Sequence, residues 1–178
     1  ISSLLRLLRL LSFYMTLFLP ALYVALVSYH PELIPTQLLF TITASRGDVP
    51  FPSLIEVLVI SFFYEVLQEA GTRLPQKISQ TIGIVGGIVI GQIAVMAGIV
   101  TPIMVIIISL TGICAFTIPN YSFAIGLRTI RFAAIFAAAI LGLYGIILVF
   151  IIIYIHLANL KSIGIPYTQS FAPNNLWS

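Results

Sequence analysis

Glu65, Glu69 and Arg73 follow one another at intervals of four. On a helix that spacing puts all three on one face, with Glu69 and Arg73 in the favourable pairing order. Carboxylates so placed attract cations when copies of a chain form an acidic ring at a channel mouth. The other reading is a structural ion pair with Arg73 or Lys77, or a charged docking surface, and the spacing leaves these open. Gln92, Ser109 and Thr111 are polar residues inside long apolar runs. Polar groups in apolar surroundings are candidates for lining a water path, the alternative being hydrogen-bonding glue between helices. Together Gln92, Ser109, Thr111, Glu65 and Glu69 are the pore or gating candidates.

Other chemistry is harder to find. No nucleophile–base–acid set is visible and no carboxylates pair in a soluble cleft, so an enzyme is not expected. His30 and His156 are isolated and Cys114 is the one cysteine, so neither a metal site, a cofactor nor an internal disulfide is expected. Ser53 and Glu56 have capping-box spacing, which makes Glu56 a helix-start residue. Arg128 and Arg131 flank an expected helix start and read as headgroup or topology anchors.

The elements that hold these residues are apolar helices. Of the 178 residues, 60% are hydrophobic and only 7% charged, where a soluble domain carries about 25% charged residues. The net charge of +3 comes from eight Lys and Arg against five Asp and Glu. It is not gathered into the basic face that nucleic acid requires. The expected fold is an all-α membrane protein, a polytopic bundle of about four to five transmembrane helices, since a bilayer crossing takes about 20 apolar residues. Leu10–Tyr29 and Phe132–Leu157 have that length. The uncharged stretch Ile78–Leu127 exceeds it and is divided at Thr101-Pro102, an N-cap followed by a helix-starting proline. Ile82–Val100 and Ile103–Ile118 are therefore a tight helical hairpin, the second arm short enough to be re-entrant. Phe51–Ala70 is a further helix, spanning or interfacial. His30–Pro50 reads as a connector and residues 159–178 as a polar tail. Arg6 and Arg9 place the start on the cytoplasmic side, while the side of the C-terminus stays open. The run after Arg9 lacks the small-residue cleavage site of a signal peptide. Beginning at Ile1, the chain reads as the edge of a longer protein.

Gly83, Gly87, Gly91, Ala94 and Gly98 form one small-residue stripe, with GxxxG spacing between Gly87 and Gly91. Such stripes let helix backbones approach closely in lipid, within one chain or between copies in a homo-oligomer. Ala134, Ala138, Gly142 and Gly145 form a second stripe. No lysine, serine or threonine follows the glycines in a phosphate-loop pattern, and no internal repeat of the transporter kind is evident.

Several runs, in order and with matching spacing, resemble the A subunit of the GerA family of spore germinant receptors. They include Val49-Pro-Phe-Pro-Ser-Leu-Ile-Glu56, Glu65-Val-Leu-Gln-Glu-Ala-Gly-Thr-Arg-Leu-Pro75 and Ile82-Gly-Ile-Val-Gly-Gly-Ile-Val-Ile-Gly-Gln92. Ala97-Gly-Ile-Val-Thr-Pro102, Phe116-Thr-Ile-Pro-Asn-Tyr121, Arg128-Thr-Ile-Arg-Phe132 and Ser162-Ile-Gly-Ile-Pro-Tyr167 extend the likeness. The resemblance implies a multi-pass subunit of the spore inner membrane that works with a transporter-like B subunit and a lipoprotein C subunit. It also implies assembly into a nutrient-gated ion channel that starts germination. The family's large hydrophilic N-terminal domain is absent from this sequence, and a position usually acidic in the family is Met96 here. A non-conducting scaffold for the B and C subunits is the alternative. A monomeric carrier is disfavoured by the small number of spans and the lack of a repeat.

Overall fold

The computed structural model describes residues 2–73, 75–117, 121–159, 161–162 and 165–166. Among them are α1 (Ser2–Tyr29), α2 (Thr36–Arg46), α3 (Ser53–Arg73), α4 (Gln76–Met96), α5 (Pro102–Phe116), α6 (Tyr121–Leu141) and α7 (Leu143–Asn159). A short antiparallel pair, β1 (Lys161–Ser162) with β2 (Ile165–Pro166), aligns Lys161 with Pro166 and Ser162 with Ile165. The rest of the expected polar tail lies outside the described residues.

Contacts at the helix ends fix the directions of the long helices. The Ser28 and Ser53 hydroxyls lie 2.6 Å apart, joining the end of α1 to the start of α3. Thr101, between α4 and α5, binds Glu56 in the first turn of α3. Tyr29 Oη donates to the Ala139 carbonyl at 2.5 Å, joining the end of α1 to the end of α6. These junctions share one end of the bundle, the Thr101 end. At the other end the Tyr14 and Tyr154 hydroxyls are hydrogen-bonded, and Phe150 packs on Phe18. So α1, α4 and α6 run toward the Thr101 end, and α3, α5 and α7 run away from it.

The core lies between α1, α3, α5 and α6. Ala21 and Ala25 of α1 and Ala134 and Ala138 of α6 are fully buried, and α1–α6 is the most extensive helix contact. Both pairs are spaced by four, which places each on one face. The second small-residue stripe thus packs within the chain. On α3, Ser53, Glu56, Val57, Ile60 and Ser61 are buried, the inward face of a 3.6-residue repeat.

The turn at Thr101-Pro102 forms as its signals dictate, but the expected tight hairpin does not: α4 packs on α3, and α5 packs on α1 and α3. Pro102 opens α5, and the Thr101 hydroxyl accepts from the Met104 N–H. Other expectations are corrected as well. Residues 30–50 are not a plain connector: after the 3-10 turn Pro31–Leu33, Pro35 precedes α2. A proline just before a helix costs no internal hydrogen bond, so Pro35 is compatible with a helix starting at Thr36. The expected span Phe132–Leu157 is two helices. Gly142 has φ +62, a left-handed cap that ends α6, and the chain turns back as α7. Consequently α6 starts earlier, and Arg128 and Arg131 lie inside it rather than beside its start.

Among the described residues, one helix segment, Leu4–Tyr29, is long and apolar enough to cross a membrane by length and composition. Val85–Met96, Pro102–Phe116 and Leu143–Asn159 are apolar but shorter.

Candidate functional site

Glu65 sits where the inward face of α3 meets α6. Its Oε2 lies 3.3 Å from Arg128 Nη1, and its Oε1 accepts from Arg131 Nη2. Arg128 and Arg131 are three residues apart on α6, so both guanidiniums reach the same side. Arg131 is only 3% exposed. Tyr64, beside Glu65, faces α5: a β-carbon at Gly112 would lie 2.6 Å from its hydroxyl oxygen. Glycine at 112 is what lets the ring enter. The Tyr64 and Ser61 hydroxyls and the Arg131 Nε–H are buried without a hydrogen-bond partner.

A second polar node closes the Thr101 end. Glu56 is 0% exposed. Its Oε1 accepts from the Thr101 N–H at 2.6 Å and from Thr101 Oγ1 at 2.5 Å. Its Oε2 faces Arg46 Nη1 of α2 at 3.4 Å. The expected capping box is replaced by long-range bonds, because Ser53 pairs with Ser28 and Glu56 is on the buried face. Gly98, at φ +68, passes so close to Asp48 that an added β-carbon would meet its carbonyl oxygen at 2.9 Å.

The residues marked in the sequence do not converge. Glu69 pairs with Arg73, whose Nη2 lies at 2.8 Å, on an exposed surface. Glu65 is turned from Arg73 to α6, so the carboxylates do not act as one acidic face. The side chain of Lys77 is outside the described residues. Gln92 and Ser109 are exposed. Thr111 is buried, and its hydroxyl donates to the Ile107 carbonyl within α5 at 2.7 Å. The glycine stripe divides: Gly91 approaches Val105 of α5, Ala94 joins the core and Gly98 makes the turn. Among the described residues, nothing lies within 4 Å of a β-carbon added at Gly83 or Gly87. The close approach of α3 to α4 occurs at Gly86, where an added β-carbon would meet Leu67 at 2.6 Å.

The family described as Bacillus/Clostridium GerA spore germination protein matches residues 1–178. The chain belongs to the GerA family. It is 53% identical to spore germination protein GerLA of Bacillus cereus, over 97% of this chain and 35% of that protein. It is 49% identical to spore germination protein A1 of Bacillus subtilis (strain 168), over 99% of this chain and 36% of the relative. Identity is also 49% with the uncharacterized membrane protein YfkQ of Bacillus subtilis (strain 168), over 97% of this chain and 34% of the relative. The chain spans about a third of the length of these relatives. No solved structure matches it.

In this GerA-family chain, sequence reasoning missed the partners of Glu65. A signal was available: Arg128 and Arg131 stand three apart in an apolar run, and charges in such surroundings require partners. Met96, at the end of α4, is 85% exposed.

Proposed function

We propose that this chain is the membrane-embedded part of a spore germinant receptor subunit in the spore inner membrane. In this reading α1 and α3–α7 cross the bilayer as a polytopic bundle of six helices, more than the four to five expected because the last expected span is two helices, and copies assemble into a nutrient-gated ion channel that triggers germination. The transporter-like B subunit and the lipoprotein C subunit are its partners.

The observation that carries the membrane reading is an inverted surface. Ile88, Ile106, Ile113, Ile140, Ile147 and Ile152 are all more than half exposed, on α4, α5, α6 and α7, while Glu56 and Arg131 are buried. Large apolar patches on a water-facing surface drive association; in lipid the same side chains are in their solvent. The names of the relatives, which include a membrane protein and spore germination proteins, agree. Assembly is supported by Gly83 and Gly87, which leave a backbone face of α4 uncovered. Gln92 and Ser109 are exposed on α4 and α5. A polar path using them runs between copies rather than through one, which disfavours a single-protomer carrier.

The test is ion flux from liposomes holding the full-length protein, with cross-linking to count protomers. Flux from a ring, lost on Gly87→Leu, is the expected result. A silent protein that still binds its partner subunits, in a complex competent to gate, would overturn the channel in favour of the scaffold. The exposed Glu69–Arg73 pair would then serve as a docking surface.

A further inference from the structure

Among the described residues, the charge around Glu65 does not balance. One carboxylate faces two guanidiniums, leaving a net +1. The next carboxylate along α3, Glu69, is held by Arg73 Nε at 2.9 Å and Nη2 at 2.8 Å. The ~12 residues from Ser53 to Glu65 cover about 18 Å of helix at 1.5 Å per residue. The hydrocarbon core is about 30 Å thick, so the cluster lies deep within it if the Thr101 end is at the interface. An uncompensated cation there carries a large desolvation penalty. This depth rests on the membrane-spanning reading above; the unpaired donors do not.

We propose that the Glu65–Arg128–Arg131 cluster binds one small monovalent anion of the chloride class. Arg131 Nε–H is a buried charged donor with no partner. The Tyr64 hydroxyl is a second buried donor without one, on the residue that precedes Glu65 in α3. A water molecule would satisfy the donors and leave the charge; a single anion does both. The site is small, because the Tyr64 ring already fills the space a side chain at 112 would need. A lipid phosphate belongs at the helix ends, not at this depth. Glu65 is the built-in competitor: its carboxylate occupies part of the same positive field, so the anion and Glu65 share the two arginines.

The test is chloride-35 NMR line broadening, titrating chloride against the full-length protein in detergent with gluconate holding the ionic strength. The expected result is saturable broadening, abolished by Arg131→Gln. Tyr64→Phe weakens binding about tenfold, the scale of one hydrogen bond to a charge. Glu65→Gln tightens it, because the competing carboxylate loses its charge. Absence of saturable broadening in the unaltered protein overturns the proposal, as does broadening that survives both Arg131→Gln and Tyr64→Phe. If Arg131→Gln does not fold, Glu65→Gln decides: binding that is unchanged or weaker overturns the site. Lost chloride binding in a protein that still inserts and assembles removes the anion site and leaves the receptor reading standing.

Discussion

Thr101 joins two helices through one side chain. It caps α5 by accepting from the Met104 N–H at 3.3 Å, and it donates to the Glu56 carboxylate of α3. Replacing it with valine keeps the shape and removes both bonds, leaving Glu56 the Thr101 N–H and Arg46. Thr101→Val is expected to destabilise the protein by about 1–3 kcal/mol, the range for a buried hydrogen bond to a charged group. Thr101→Ser should restore most of the loss; thermal unfolding in detergent measures both. Glu69→Gln gives the contrasting case. Its i,i+4 pair with Arg73 is exposed, with side chains 50% and 78% accessible, and such pairs contribute well under ~1 kcal/mol. The same unfolding assay should show almost no change. Glu65→Gln should lower stability clearly, because it leaves Arg128 and Arg131 facing no carboxylate in the cluster. The helical spacing of Glu65, Glu69 and Arg73 made only the second pair legible. The Glu65–Arg131 contact spans 66 residues, and spacing rules describe neighbours on one helix. What sequence does supply for the distant pair is a demand: charges in apolar runs need partners, without saying which.

Helix boundaries were legible where a side chain or a proline marks them, and not where a backbone conformation does. Thr101-Pro102 was read as a cap and is one. Gly142 was read as one of several small packing residues, yet it ends α6 with φ +62. Nothing local distinguishes a glycine chosen for smallness from one chosen for a left-handed cap. Gly145 shares the ambiguity: a β-carbon there would lie far inside contact distance of the Ala137 carbonyl across the α6–α7 junction. Substitution separates the roles. Gly142→Ala meets both a strained φ, at about 1–2 kcal/mol, and Tyr29 Cβ at 3.2 Å, so its unfolding midpoint should fall. Gly112→Ala should also fall, and the double variant Gly112→Ala with Tyr64→Leu should recover part of the loss, since Tyr64 is the obstacle. Gly83→Ala, with nothing within 4 Å, should leave the midpoint unchanged or slightly raised, as alanine is the better helix former. A uniform loss across these variants would show that the helices pack otherwise than described.

For the bundle as a whole, composition announced the apolar helices before any motif did. With 7% charged residues, the chain lacks the polar side chains to cover a wet exterior. Which face of each helix looks inward was only partly readable, because outward-facing residues and core-facing residues are equally apolar. The hydrophobic pattern that orients a helix in water therefore carries little information here. The α4 stripe illustrates this: five small residues in line fall into an inner half, Gly91, Ala94 and Gly98, and an outer half, Gly83 and Gly87. The two halves make opposite predictions for Leu substitutions. Gly91→Leu should destabilise the isolated protomer, because an added β-carbon already lies 3.3 Å from Val105. Gly87→Leu should leave the protomer's unfolding midpoint intact while reducing cross-linked oligomer and ion flux together. Small residues at helix interfaces allow the backbones to approach, and a leucine side chain holds them apart. If Gly87→Leu instead lowers the midpoint with the oligomer fraction unchanged, the outer glycines pack inside the chain and α4 is not the contact between copies. If oligomer is lost while flux persists, each protomer conducts alone, and the path must be sought along the interior polar groups, Thr111 and the Glu65 cluster.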